Sequence, residues 1–297
     1  MNTHTPRILS AIFRQLQSRP SLEKAGIKKY RASLEKSARA FKPDPDILFN
    51  TFTIGHIQAA WLTPKKCDNS RIILYVHGGG YIAGSIQTHR DLASRIAKAS
   101  RAELLIFDYR LAPEHPFPSG LMDLQTVYDW LSVSISPTTH ISLVGDSAGA
   151  GLCLAFLVSL LDKNKYLPIC SVFISPWVDL SCKNNSFKTN HGKDPMLNQK
   201  KLLETARLYT DKNLCHPLVS PIHNKFKGLP PLLIQTGENE VLLDDSKILA
   251  QKIKNEEGNV TLEIWNEMFH VWHYFAKYLS QGQAAIEAIG KFIKGYS

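Results

Sequence analysis

The chain has 297 residues, of which 44% are hydrophobic and 21% are charged, an ordinary composition for one large α/β domain or two small ones. Its formal net charge of +9 makes nucleic acid and anionic membranes worth considering as partners, but residues 1–46 alone hold ten Lys and Arg against four acids. That excess is typical of the solvated face of N-terminal helices, and since no nucleic-acid-binding module accompanies it, we expect no nucleic-acid partner.

Cysteine spacing and the length of the apolar runs bear on the compartment. The five cysteines are widely spaced and form no C-x-x-C pair, which disfavours a zinc site and a disulfide framework and favours a reducing compartment. No run reaches the roughly 18 apolar residues of a membrane span. The apolar run at residues 8–13 is too short for a secretory signal. The sequence therefore predicts a cytoplasmic protein without a transmembrane segment.

Apolar periodicity divides the chain into alternating strands and helices. Residues 1 to about 45 have apolar positions at three- and four-residue spacing, which predicts helices, and residues 47–62 alternate like edge strands. Apolar runs then predict buried strands at 71–76 and 141–144. Further strands are predicted at 103–108, 169–174, 232–235 and 260–265. The helices predicted between and after them are 89–100, 117–131, 150–157, 245–255 and 280–294.

This alternation predicts an α/β fold with a mostly parallel sheet covered on both faces. Residues 181–218 break the rhythm and predict an insertion with one helix at 199–209. In such a fold, active-site loops lie at the carboxyl ends of the strands.

A Gly-x-Ser-x-Gly motif stands between a predicted strand and a predicted helix. It reads Gly145-Asp146-Ser147-Ala148-Gly149. A sharp turn between strand and helix lifts the serine hydroxyl clear of the sheet and requires small residues on both sides. Ser147 is therefore the candidate nucleophile, whereas Asp146 is interpreted as a supporting residue.

Three consecutive glycines follow the predicted strand at 71–76. The motif is His77-Gly78-Gly79-Gly80-Tyr81. The backbone N–H groups of a glycine run are unshielded and can converge on an anion, as acyl transfer requires for its oxyanion. A flexible turn is the alternative interpretation of the run, but beside the serine motif the run predicts an oxyanion hole.

A base and an acid are expected after the nucleophile. His270 follows the last predicted strand, where a base could reach a serine on a central strand. His273 is the local alternative and is interpreted as a helix-surface histidine. The acid is expected after the strand at 232–235, where composition alone leaves four carboxylates open. They are Glu238, Glu240, Asp244 and Asp245.

The chain resembles the hormone-sensitive-lipase group of the α/β-hydrolase superfamily, the bacterial carboxylesterases with an HGGG motif. The matching motifs are, in order, residues 77–81, 108–118 (DYRLAPEHPFP), 145–149, 217–221 and 269–270. The resemblance covers residues from about 50 to 295. It implies a catalytic domain at 46–297 with a small helical cap, formed by residues 1–45 and an inserted segment at about 182–213.

The resemblance also implies roles for individual residues. The family's acid-loop phrase falls on residues 240–245, which makes Glu240 the acid in place of the commoner aspartate; Asp244 is the alternative, interpreted as a cap of the following helix. The implied oxyanion donors are the N–H groups of Gly78, Gly79 and Ala148, with a shift of one residue to Gly79 and Gly80 left open. Tyr81 and Trp272 are candidate residues of the ester pocket, while His77, Arg110 and Glu114 support the glycine loop.

The implied function is hydrolysis of short- to medium-chain carboxylic esters of small molecules through an acyl-serine intermediate. The resemblance implies neither a metal nor a cofactor, and relatives often form homodimers at the end of the sheet. An amidase, lactonase or deacetylase with the same residues is the alternative within hydrolases. A non-catalytic ligand receptor on this fold is an alternative of another class, disfavoured because such receptors lack the histidine that stands here at position 270.

Overall fold

The structure is a computed structural model that describes residues 22–41, 44–136, 138–211 and 213–296. Its strands are β1 (Ile47–Ile54), β2 (Ile57–Pro64), β3 (Arg71–Val76), β4 (Glu103–Phe107), β5 (His140–Asp146), β6 (Cys170–Ile174), β7 (Leu232–Gly237) and β8 (Val260–Trp265). They form one sheet in the order β1-β2-β4-β3-β5-β6-β7-β8. The β1–β2 and β2–β4 pairs are antiparallel and the other pairs are parallel, which confirms the predicted fold class.

Helices follow most of these strands. They are α1 (Leu22–Ala38), α2 (Ile86–Ser100), α3 (Ser119–Ser134), α4 (Ala148–Asp162), α5 (Ser186–Thr189), α6 (Gln199–Tyr209), α7 (Leu243–Asn255) and α8 (Ser280–Lys294). Helix α1 is interrupted at Gly26, whose φ of 71° is not helical. Within the described ranges, no helix is both long and apolar enough to cross a bilayer. Residues 1–21, 42 and 43 of the predicted N-terminal helical segment lie outside the described residues.

Helices cover both faces of the sheet, which explains why apolar residues predominate in its central strands. In β3, Ile72, Leu74 and Val76 belong to the core shared with α3, α4 and α7. Ile73 and Tyr75, which alternate with them, belong to the core shared with α2 and α8. Because successive side chains of a strand point to opposite faces, a strand buried on both sides needs apolar residues at every position.

The parallel strands bring distant segments of the chain to one edge of the sheet. The glycine run follows β3, Ser147 follows β5, Glu240 follows β7 and His270 follows β8. Strands β3 and β5 are neighbours, as are β7 and β8. All these loops therefore emerge at the carboxyl edge, where open α/β sheets bind ligands.

Candidate active site

Ser147 lies in a strained turn between β5 and α4. Its φ of 53° and ψ of −121° lie outside the regions that non-glycine residues normally occupy. Helix α4 can begin this close to β3 because Gly149 has no side chain: a Cβ there would lie 2.1 Å from the carbonyl oxygen of Val76. The N–H of Ser147 donates to the carbonyl of Ile174 at 2.8 Å, which holds the turn against β6.

Three side chains from separate loops form a continuous chain of hydrogen bonds. The hydroxyl of Ser147 lies 2.9 Å from Nε2 of His270. Nδ1 of the same imidazole lies 3.0 Å from Oε2 of Glu240. All three residues are buried. Such an arrangement can pass the serine proton to the imidazole while the carboxylate holds the ring in the required tautomer.

Further donors hold the second carboxylate oxygen of Glu240. Oε1 accepts hydrogen bonds from the N–H of Gly237 at 2.5 Å and the hydroxyl of Ser175 at 2.7 Å. The Ser175 hydroxyl also accepts the N–H of Val271 at 3.0 Å. Ser175 therefore joins the acid to the loop that carries His270. Sequence reasoning missed this residue; its one signal is its position directly after β6.

Burial and neighbouring charges act in opposite directions on His270. Burial disfavours the imidazolium and lowers its pKa. The hydrogen bond to Glu240 and its charge, together with the charges of Asp194 and Asp146, outweigh burial and raise the pKa above the ordinary value of 6.5. The imidazole is therefore a stronger base than an isolated histidine.

We expect kcat/KM for an ester to fall as the pH drops through this raised pKa. Only the neutral imidazole can accept the serine proton, so activity belongs to the deprotonated form and is lost below a pKa higher than 6.5. In Glu240→Gln the carboxylate that raises the pKa of His270 is absent. The acid limb of the remaining activity should therefore lie at a lower pH than in the unchanged enzyme. The pH dependence of kcat/KM, measured for the unchanged enzyme and for Glu240→Gln, tests this shift. An acid limb at the same pH in both would contradict the role of Glu240.

The structure corrects one predicted oxyanion donor. The N–H of Gly78 donates to Oδ1 of Asp146 at 2.9 Å, so it is not available to a substrate and the prediction for Gly78 is wrong. No hydrogen bond described for the chain engages the N–H of Gly79 or Gly80, and both residues line the cavity beside the nucleophile. Ala148 begins α4, where N–H groups lack intrahelical partners. Among the described residues, the N–H groups of Gly79 and Gly80 thus remain without a protein acceptor beside the nucleophile.

The carboxylate of Asp146 ties the serine turn to the glycine run. Besides Gly78, its Oδ1 accepts the hydroxyl of Tyr75 at 2.8 Å. Burial raises the pKa of Asp146, but the nearby His89, whose Nε2 lies 3.5 Å away, and these hydrogen bonds lower it overall. His77 lies beside this contact, with Nδ1 2.8 Å from the carbonyl oxygen of Gly78. Asp146 therefore sets which glycine amides remain free.

A cavity of about 400 Å³ opens at Ser147 and His270. This is a volume typical of small-molecule sites. Its walls come from α1, α6, residues 195–197 and the short turn at 272–275. Its larger apolar side chains are Leu34, Phe41, Ile82, Met196, Leu197, Leu202 and Phe275. Within the described residues, no cluster of three His, Cys, Asp or Glu side chains could hold a metal ion.

Both predicted pocket residues lie away from this cavity. Tyr81 is buried and stacks on the ring of Tyr209, with centroids 3.9 Å apart. Trp272 is fully buried, and its indole N–H donates to a backbone carbonyl at 3.3 Å. The structure thus contradicts the expectation for Tyr81 and Trp272, because their rings fill the core behind the site. His273, expected on a helix surface, is also fully buried, with Nε2 2.8 Å from Oε1 of Gln235.

Asp244, the alternative acid, is bound to the insertion. Its Oδ2 accepts the N–H of Ser186 at 2.7 Å. The N-cap position of α7 is Leu242, so the predicted capping role of Asp244 is wrong. This hydrogen bond ties the Asp244 carboxylate to Ser186, the first residue of α5.

The supports predicted for the glycine loop have partners that the sequence did not reveal. Glu114 binds the guanidinium of Arg31, from α1, through two hydrogen bonds of 2.7 and 3.0 Å. Arg31 also donates to the carbonyl oxygens of Ile82 and Ala112. Arg110 pairs instead with the buried Asp123, at 2.8 Å. Helix α1 is thereby fastened to the loop after the glycine run.

Comparisons with known proteins agree with this geometry. A family model described as alpha/beta hydrolase fold matches residues 73–274. An acetyl-hydrolase of Streptomyces hygroscopicus is 43% identical over 245 residues, which cover 82% of this chain and 81% of that protein. EstE5, whose crystal was soaked with p-nitrophenyl butyrate, is 41% identical with a TM-score of 0.92, and the match covers 98% of each chain.

A solved esterase structure indicates which family of α/β hydrolases the chain belongs to. It comes from the bacterial hormone-sensitive lipase family and is 37% identical with a TM-score of 0.93, over 98% of each chain. Fold, motif order and strained serine turn are shared features of such enzymes. The chain therefore belongs to the α/β-hydrolase superfamily and, within it, to the bacterial hormone-sensitive lipase family.

Proposed function

We propose that this esterase cleaves short- to medium-chain carboxylic esters through an acyl-serine intermediate, with Ser147 as nucleophile, His270 as base and Glu240 as acid. The observation that carries the proposal is the unbroken hydrogen-bond chain of 2.9 and 3.0 Å from hydroxyl to imidazole to carboxylate. These hydrogen-bonded side chains lie beside free backbone amides, at the wall of a mainly apolar cavity.

The proposed mechanism begins when Nε2 of His270 accepts the proton of Ser147 as the oxygen attacks the ester carbonyl. The N–H groups of Gly79, Gly80 and Ala148 then hold the oxyanion, where each donor contributes about 3 kcal/mol. When the tetrahedral intermediate collapses, the imidazolium protonates the leaving alcohol. Water, deprotonated by the same imidazole, then attacks the acyl-serine, and the imidazolium returns this proton to the Ser147 oxygen as the carboxylic acid product is released.

We propose that the helices over the cavity form the cap of the enzyme. The predicted segments, 1–45 and about 182–213, contain α1, α5 and α6, and side chains of α1 and α6 line the cavity. A cap of apolar side chains excludes water and limits the length of the acyl group. The remaining residues, from 46 onwards, form the catalytic domain in this division.

A substrate panel tests the proposed selectivity. We expect kcat/KM to be highest for p-nitrophenyl esters from butyrate to octanoate and to fall for palmitate, because a cavity of about 400 Å³ cannot enclose a long chain. The matched p-nitroanilide should react at least about 100-fold more slowly. Faster turnover of the anilide, or of a lactone of equal size, would replace this proposal with the amidase or lactonase alternative.

We also propose that the enzyme acts in the cytoplasm and forms a homodimer. The five cysteines are all unpaired, as expected in a reducing compartment. Strand β8 ends the sheet and leaves Ile264 45% exposed, so a second copy could cover this edge. Light scattering of the purified protein should give twice the chain mass. A mass equal to that of one chain would contradict the proposed homodimer.

A further inference from the structure

The inserted segment binds the backbone of the loop that carries Glu240. The side-chain amide of Asn190 donates to the carbonyl oxygen of Glu238 at 2.9 Å and to that of Glu240 at 2.7 Å. Oδ2 of Asp194 accepts the N–H of Val241 at 3.2 Å. Two side chains of the insertion thus hold the peptide group that follows Glu240 and the carbonyl group of Glu238, two residues before it.

These contacts are buried. Asn190 is 5% exposed and Asp194 is 7% exposed. Ser186 adds a third contact, since its hydroxyl donates to the carbonyl oxygen of Val241 at 2.6 Å.

The carbonyl oxygen of Glu240 also accepts the N–H of Leu243 at 3.3 Å. The carbonyl oxygen of Glu238 has no donor other than Asn190 among the hydrogen bonds of the described residues, so without Asn190 it would lose its partner or move to find one. The position of the acid loop therefore depends on the insertion.

Asp194 also holds a wall of the substrate cavity. Its Oδ1 accepts the N–H groups of Met196 at 2.9 Å and Leu197 at 3.1 Å. Both residues line the cavity. One carboxylate therefore holds the pocket wall with one oxygen and the acid loop with the other.

We propose that Asn190 and Asp194 are positioning residues for Glu240, so that the cap insertion builds the site of the acid as well as the pocket. The inference rests on the proposed function of Glu240. Oε1 of Glu240 is held by Ser175 and Gly237 at the far end of the side chain. The insertion holds the other end of Glu240, its main chain, through the contacts of Asn190 and Asp194. A glutamate has one more rotatable bond than an aspartate, so both ends must be held to keep Oε2 at the imidazole.

Asn190 is the cleaner residue to test because it carries no charge. The groups whose charges act on His270 are Glu240, Asp194 and Asp146. The adjacent His273 is kept neutral, since burial lowers its pKa to about 3. Burial also raises the pKa of Asp194 to about 6. Replacing Asp194 thus changes the field at His270 directly. Replacing Asn190 removes no charge; besides its contacts with the acid loop, the side chain loses the hydrogen bond that its Oδ1 accepts from Nζ of Lys193 at 3.3 Å.

The test compares Asn190→Ala with Asn184→Ala. Asn184 lies in the same insertion and donates to a carboxylate of the same region, Oδ1 of Asp245, at 2.7 Å, but that carboxylate is not the proposed acid. For Asn190→Ala we expect kcat to fall between about tenfold and about 100-fold while KM stays within about twofold. The acid limb of its pH profile should move to lower pH. Asn184→Ala should keep the kcat and the acid limb of the unchanged enzyme.

A second readout does not depend on activity. The proton on Nδ1 of His270, shared with Glu240, should give a low-field NMR resonance in the unchanged protein and in Asn184→Ala. It should shift upfield or disappear in Asn190→Ala. An unchanged resonance there would overturn the inference, whatever the kinetics. If the unchanged protein cleaves no ester, the proposed function fails, and the resonance still decides the positioning role.

A folding failure of Asn190→Ala would leave Asp194→Asn as the second variant. An asparagine has one acceptor oxygen, so it cannot accept the N–H groups of Met196, Leu197 and Val241 together as the carboxylate does. We expect the same loss of kcat and the same change in the Nδ1 proton resonance. Retention of both in this variant would overturn the inference.

Discussion

Replacing Ser147 with alanine is expected to lower kcat for p-nitrophenyl butyrate by about 10⁶-fold, and His270→Ala should cost about as much. The hydroxyl is the attacking group and the imidazole is its base, so either one is ineffective without the other. Because the two act as a unit, the double variant should be no slower than either single one. The free amides should still leave about 10³-fold to 10⁴-fold catalysis over water.

A matched control uses a buried serine elsewhere in the chain. The hydroxyl of Ser100, at the end of α2, is buried without a hydrogen-bond partner among the described residues. Ser100→Ala should therefore retain full activity. If Ser147→Ala kept more than about a tenth of the activity, or if the double variant fell far below both single ones, the two residues would not act as the proposed pair.

Neutralising Glu240 is expected to have the second-largest effect. Glu240→Gln should lower kcat by about 10³-fold to 10⁴-fold, as when the acid of another serine-hydrolase triad is made neutral. The amide keeps the size of the side chain but no longer stabilises the imidazolium that forms during the reaction. Its N–H group would also compete with the Nδ1–H of His270 and favour the wrong tautomer.

Asp244→Asn serves as the comparison for the acid. The Asp244 carboxylate accepts the N–H of Ser186, and an asparagine oxygen can accept the same hydrogen bond. Its kcat should therefore remain within about threefold of the unchanged enzyme. If Asp244→Asn proved the slower of the two variants, Asp244 would be the acid and the assignment of Glu240 would be wrong.

The fold could be predicted from the sequence because the signal for each central strand is local. Residues 71–76 form a strand over the predicted residues, because a continuous apolar run fits a strand that is covered on both faces. Residues 260–265 also form a strand over the predicted residues, although β8 lies at the end of the sheet and is only partly buried. One end of the sheet also follows from a local pattern, because residues 47–62 alternate like edge strands and form the antiparallel pair β1–β2. The helices α7 and α8 begin within two residues of their predicted starts.

The site was less predictable where it depends on side chains from other segments. Three glycines in a row indicate an oxyanion hole, but which amides are free depends on Asp146, which lies 68 positions from Gly78 and binds its N–H. Tyr81 stands next to the glycine run, yet its ring turns into the core against Tyr209 of α6. No local pattern records such contacts, because they arise only after the strands have assembled.

The inserted segment also makes contacts with distant residues that its sequence pattern does not reveal. Residues 181–218 lack a strand or helix rhythm apart from one helix, so the sequence predicts little beyond their existence. Asn190 and Asp194 are polar residues in a polar stretch, and only their buried contacts with the acid loop distinguish them. Motifs mark residues that react, whereas residues that position them carry no motif of their own.

Covalent labelling with a fluorophosphonate tests the central claim most directly. The reagent reacts with a serine only when a neighbouring base activates it. Intact mass spectrometry should show one adduct per chain, and peptide mapping should locate it at Ser147. Ser147→Ala should show no adduct, and His270→Ala should label far more slowly. An adduct on another residue, or undiminished labelling of Ser147→Ala, would contradict the account.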